Sequence, residues 1–157
     1  MNRMLIKMAM AAATAGSLLI SNATFSQVVT PAKRAAHVEI NQGPTLELAR
    51  GDLAIVRWTS NNPGGTDDHF GVVHYGTDPN QLNQTAKSHI RLNQEHPETL
   101  FRVRLDGLSP KTTYYYTVDS MESTGASDKV KSPVSQFTTP AAGELVQSYP
   151  QPVQQPK

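Results

Sequence analysis

Leu108-Ser109-Pro110-Lys111-Thr112-Thr113-Tyr114-Tyr115-Tyr116-Thr117-Val118 joins turn chemistry directly to an aromatic, β-branched run. Pro110 fixes its own φ and drives Ser109 toward extended geometry, so a helix is disfavoured at the start of the stretch. The Thr and Tyr residues that follow fit a pleated, half-buried surface. Side chains alternate across a strand, so Tyr114, Tyr116 and Val118 share one face and Tyr115 and Thr117 the other. The first set is expected to face a core, which leaves Tyr115 as the tyrosine of this run available to the outside.

The spacing Leu108-x-Pro110-x-Thr112-x-Tyr114 resembles the tyrosine corner of Greek-key sandwiches, where a Tyr opening the sixth strand hydrogen-bonds to backbone a few residues upstream. Tyr114 is expected to be that residue. Outward from it, residues 37–139 read as short β runs between turn signals, with no helical period. Residues 37–40 and 45–48 form a first strand interrupted at Gly43-Pro44, as suits an edge. Residues 53–60 put Ala54, Val56 and Trp58 on one side and Ile55, Arg57 and Thr59 on the other. The only Trp of the chain belongs at the core centre. Residues 70–76 turn Gly71, Val73 and Tyr75 inward, residues 82–91 form a weaker strand or extended connection, and residues 100–105 bury Phe101, Val103 and Leu105 while solvating Arg102 and Arg104. Residues 134–139 close the domain. The fold class expected is therefore all-β, a seven-stranded antiparallel Greek-key sandwich.

Four motifs in order carry a resemblance: Val56-x-Trp58-Thr59; Val73-x-Tyr75-Gly76-Thr77-Asp78-Pro79-x-x-Leu82; Val103-x-Leu105-x-Gly107-Leu108-x-Pro110-x-Thr112-x-Tyr114-Tyr115-Tyr116; and Phe137-Thr138-Thr139-Pro140. Together they are similar to a fibronectin type III-like, immunoglobulin-like domain, and more narrowly to the variety that precedes the catalytic domain in purple acid phosphatases. The resemblance covers residues 36–140. It implies a β-sandwich that works beside a metallophosphatase and makes Trp58, Tyr75, Pro110, Tyr114 and Tyr116 structural.

The ends read differently. Arg3 and Lys7 precede an apolar, small-residue run over residues 8–20, and Ser21-Asn22-Ala23 supplies small residues where a signal peptidase cuts. Residues 1–23 are thus expected to be a signal peptide with its helix, and the protein to be exported to the periplasm or beyond. The run falls short of the roughly 20 apolar residues of a membrane span, so no stable span is expected after cleavage. Losing Arg3 and Lys7 leaves 12 of the 14 basic residues against 13 acidic ones, a formal net charge of −1, which gives no reason to expect nucleic acid as a partner. There is no Cys, so an exported fold has core packing alone to hold it. Residues 24–35 read as a linker. Residues 141–157, rich in Pro and Gln, read as a disordered tail unable to bury enough surface to offset ordering.

No catalytic residues stand out. The two-metal chemistry of a phosphatase needs several Asp, Asn, His and Tyr ligands at strand ends, and Gly-Asp-x-x-Tyr, Gly-Asn-His-Glu and Gly-His-x-His are all missing from the sequence. His37, His69, His74, His89 and His96 are scattered singly, and Asp67-Asp68-His69 is accounted for by turn formation rather than by a calcium loop. The expectation is a non-enzyme with no cofactor and no metal. Two surface features remain. Arg57, Arg102 and Arg104 lie on strands that pair in this topology and form an outward basic ridge, or are neutralised by Glu39 or Glu47 next door. Phe70, Val72, His74, Tyr115 and Thr117 share the outward parity of the other sheet and form a candidate face for a protein or a cell-envelope polymer, unless residues 122–131 or a tail cover it.

Overall fold

Alternation of apolar and polar residues organises nearly every strand of the computed structural model, which describes residues 35–62, 65–92 and 95–148. The strands in chain order are β1 (Ile40–Arg50), β2 (Leu53–Asn61), β3 (Asp68–Gly76), β4 (Gln84–Arg91), β5 (Glu98–Asp106), β6 (Thr113–Glu122), β7 (Ser135–Thr138) and β8 (Leu145–Gln147). They form two four-stranded antiparallel sheets, β5-β2-β1-β8 and β4-β3-β6-β7. Residues 1–23, expected to be a signal peptide with its helix, and most of the expected linker lie outside the described residues.

The core lies between the sheets. Trp58 is 2% exposed and stacks on Phe101, which is fully buried and directly opposite it in the β2–β5 register, with ring centroids 5.2 Å apart. Gly71 of β3 makes that stack possible. A Cβ there would sit 2.8 Å from Phe101 Cδ1 and 3.0 Å from Trp58 Cη2, so the two rings press onto bare backbone of the facing sheet. At the other end of the core, Tyr75, Tyr114, Tyr116 and Phe137 pack ring against ring at 5.8 to 6.3 Å. Edge and offset contacts of this kind add about 0.5–1.5 kcal/mol per pair beyond the area they bury.

The corner forms at the residues that announced it. The Ser109 backbone N–H donates to Tyr114 Oη at 2.9 Å, five residues downstream. Lys111 adopts a positive φ of 51° to turn the chain there. Buried Thr139 ties the corner to the end of β7: its Oγ1 accepts from the Thr112 N–H at 2.9 Å and donates to Ser109 O at 2.6 Å.

Two expectations need correcting. The chain has an eighth strand, within the stretch read as tail. After Thr139 it turns at residues 141–144 against Gly51, where an added Cβ would lie 3.1 Å from Ala142 Cα, and β8 then pairs Leu145, Val146 and Gln147 with Arg50, Ala49 and Leu48. Low apolar content hid a strand stabilised by backbone pairing to a ready edge rather than by burial. The first strand, expected at an edge, instead lies between β2 and β8, and it runs through Gly43-Pro44, absorbing the interruption as shifts of register against β2.

Candidate functional site

The outer face of β4-β3-β6 is built from three cross-strand rows. Antiparallel register sets Thr85, His74 and Thr117 side by side, then Lys87, Val72 and Asp119, then His89, Phe70 and Met121. Tyr115 extends this face beyond the first row, opposite Gly76 and Gln136. The structure thus gathers Phe70, His74, Thr117 and Tyr115, all half-buried, on one surface. Val72 is not available to a partner. It has the outward parity but is completely buried. Its neighbour Lys87 reaches Met121 Sδ at 3.8 Å, two strands away, so the lysine stem must cross β3 and lie over the middle row.

Asp119, Thr85, Lys87 and His89 belong to this face, and sequence reasoning passed over them. Parity was the available signal, since Asp119 follows Tyr115 and Thr117 at the same spacing. Asp119 is 4% exposed, with Oδ2 3.4 Å from His74 Nε2 and Oδ1 without a hydrogen-bond partner among the described residues. Burial pushes its carboxyl above the usual carboxylate range; His74 and Lys131 pull the other way, and the nearby Asp128 charge adds to the rise. The other ring nitrogen of His74 lies 3.5 Å from Thr85 Oγ1, so a Thr–His–Asp chain crosses all three strands. Beside it, Phe70 meets the His89 ring edge-on at 5.2 Å, and His89 Nε2 lies 3.8 Å from Asp68 Oδ1.

The basic ridge is differently arranged. Arg57 and Arg102 are cross-strand neighbours as expected. Arg102, however, grips Glu47 of β1 in a two-pronged ion pair, with Nε donating to Oε2 at 2.8 Å and Nη2 to Oε1. Arg104 Nε donates to Asp106 Oδ1 at 2.7 Å. Two of the three arginines are therefore neutralised on their own sheet, Arg102 by one of the two glutamates that the sequence offered.

A separate cavity of about 360 Å³ opens where residues 35–38 pass the end of β3, between His37, Val38, His69, Glu122, Asp128 and Val130. Asp128 is bound by Ser120 Oγ and by the Val130 N–H. Among the described residues no group of three or more His, Asp or Glu side chains is arranged to hold a metal ion, and no helix is long and apolar enough to cross a membrane.

With this geometry the comparisons with known proteins fall into place. Residues 42–139 match the family model "Purple acid Phosphatase, N-terminal domain". The chain belongs to that family. The match runs from β1 to the Thr139 that anchors the tyrosine corner. No curated protein matches the purple acid phosphatase N-terminal-like chain. Among solved structures, the solution structure of the sensor domain of the anti-sigma factor RsgI4 from Pseudobacteroides cellulosolvens shares the fold, with a TM-score of 0.50 at 17% identity over 77% of this chain and 90% of that one. Another structure of that sensor domain, in its long form, gives 0.46 at 19% identity over 74% and 98%. The sixth fibronectin type III domain of the human fibronectin type III domain containing protein 3 gives 0.39 at 22% identity over 71% and 94%. The architecture is a two-sheet antiparallel β-sandwich with a tyrosine corner.

Proposed function

We propose that this protein is an exported, non-catalytic fibronectin type III-like module that contacts a protein or a cell-envelope polymer through the outer face of β3, β4 and β6. The observation that carries the reading is the half-buried set Phe70, His74, Tyr115 and Thr117 gathered around the His74–Asp119 contact. Aromatic rings beside hydroxyl and imidazole groups are the composition of contact surfaces, where one part of a side chain is desolvated and another hydrogen-bonds. Export rests on the sequence of residues 1–23, and fractionation with mass measurement of the exported product is expected to find a chain beginning near Thr24.

The test of the face is substitution. Phe70→Asp with Tyr115→Asp is expected to abolish co-sedimentation with purified cell envelope while the circular dichroism spectrum and melting transition persist. Unchanged co-sedimentation by a folded variant removes the face from consideration and leaves a structural spacer. Family membership favours a second reading, an accessory domain that acts with a separate metallophosphatase chain. In either case the purified chain with added divalent metal is expected not to hydrolyse a chromogenic phosphate ester, and turnover would overturn the non-catalytic reading.

A further inference from the structure

Four strands end the two sheets, and they differ in what they leave open. β7 has four residues and β8 three, too short to template another chain. β5 is long, but the arginines on it are held by Glu47 and Asp106. β4 is different. It pairs with β3 over all eight residues from Gln84 to Arg91 with no register shift and no proline, and among the described residues no strand lies on its other side. Alternate residues of such an edge present unpaired N–H and C=O groups.

The side chains of that edge have a sign. Lys87, His89 and Arg91 stand on one face at alternate positions, about 7 Å apart along the strand. Lys87 leans back across β3 with its ammonium at the Met121 thioether and His89 has Asp68 at 3.8 Å, so Arg91 is the cation that stands at the edge, and among the described residues no carboxylate pairs with it. A cation on an edge repels a second copy of the same edge and favours a strand of opposite charge.

At the Arg91 end of β4 the edge runs into a cavity of about 210 Å³ lined by Ile90, Arg91, His96, Glu98, Thr99 and Leu100. Thr99 is 5% exposed and its Oγ1 has no hydrogen-bond partner among the described residues, whereas Glu98 is bound by Asn41 Nδ2 at 2.9 Å. Ile90 and Leu100 supply apolar walls, Thr99 a hydroxyl donor and Arg91 a cation. Those are the contacts of a glutamate side chain: stem against the walls, carboxylate on Thr99 and Arg91.

We propose that the β4 edge is a docking strand for an extended acidic peptide, which adds to the sheet through its main chain and anchors one glutamate in the Ile90–Leu100 cavity. This deepens the reading of the module as a protein-binding one but uses different residues from the aromatic face. The unpaired backbone supplies affinity, and Arg91, in the lining of the cavity, selects charge.

The experiment uses the purified chain and a fluorescein-labelled peptide of alternating Glu and Val, read by anisotropy at low ionic strength and by hydrogen exchange of the β4 amides. Binding is expected, with slowed exchange in Gln84–Arg91. Replacing Glu by Gln in the peptide, N-methylating its alternate amides, or introducing Arg91→Glu is each expected to weaken binding about tenfold, the scale of one lost charged or backbone contact set. Thr99→Val, close to isosteric, is expected to weaken it several-fold with no change in melting. Equal binding by the N-methylated peptide, equal displacement by polygalacturonate, or full affinity in a folded Arg91→Glu chain overturns the proposal. The Phe70→Asp, Tyr115→Asp chain separates the two readings: peptide binding should survive in it while envelope binding fails, whereas loss of envelope binding there with no peptide binding by the unmodified chain sinks the edge alone.

Discussion

The outer faces of the two sheets begin from the same alternating pattern and settle their charges in opposite ways. On β5-β2-β1, Arg102 reaches across to Glu47 and Arg104 back to Asp106, so charge is cancelled at the surface, in water. On β4-β3-β6, a carboxylate has sunk below the surface against one histidine, a valine is sealed beneath a lysine stem, and the basic column on β4 is left largely uncancelled. A face whose charges are satisfied internally presents little for a partner to gain. One that holds a desolvated carboxylate and unspent cations carries a standing cost that a ligand can relieve.

The contrast breaks most visibly at Val72. Val72→Asp places a charge where the sheet has no water, and urea denaturation is expected to show a loss on the order of 3–5 kcal/mol, or no folding at all. A loss below about 0.5 kcal/mol, the size typical of surface positions, would mean that the middle row is surface after all. Next in size is Asp119→Asn. The folded carboxyl titrates above its usual range because of burial, so the native state holds its proton more tightly than the unfolded chain does. Its contribution to stability is complete below the ordinary Asp pKa of about 3.9 and is lost as pH rises through the raised value. The Asn variant escapes that loss. It is expected to melt higher than the parent at neutral pH, with the advantage closing as pH falls below about 4, and a constant difference across pH would count against a buried, titrating carboxylate. Smallest is Arg102→Ala, for a pair whose arginine is 54% exposed, with an expected cost of about 0.2–1 kcal/mol that shrinks further in salt.

Much of the fold was legible because it is local. Pro110 and Tyr114 declared the corner, and strand parity assigned Trp58, Phe101, Val103, Tyr75 and Tyr116 to the core where they are found. β8 was not legible, since a three-residue strand without burial leaves no periodicity; its stability comes from β1, nearly a hundred residues away. The candidate face was half legible for a related reason. Parity says which way Phe70, Val72 and His74 point, but whether an outward position is wet depends on the cross-strand neighbour, and Lys87 over Val72 is a pairing that only the register reveals. The partners of Arg102 and of His74 were hidden likewise in strands distant along the chain.

The short β8 has a consequence for anyone attaching cargo to this protein. Were the chain to leave the sandwich at Thr139, a fused reporter would depart from the corner end and extend the long axis of the sandwich. Because β8 runs antiparallel to β1, the chain at Ser148 is instead heading back toward the end where β1 begins. A reporter joined directly after Ser148 would therefore start alongside the sandwich, on the flank formed by β1. A label at Ser148 would report on the β1–β8 flank, and an anchor there would leave the corner loops facing outward.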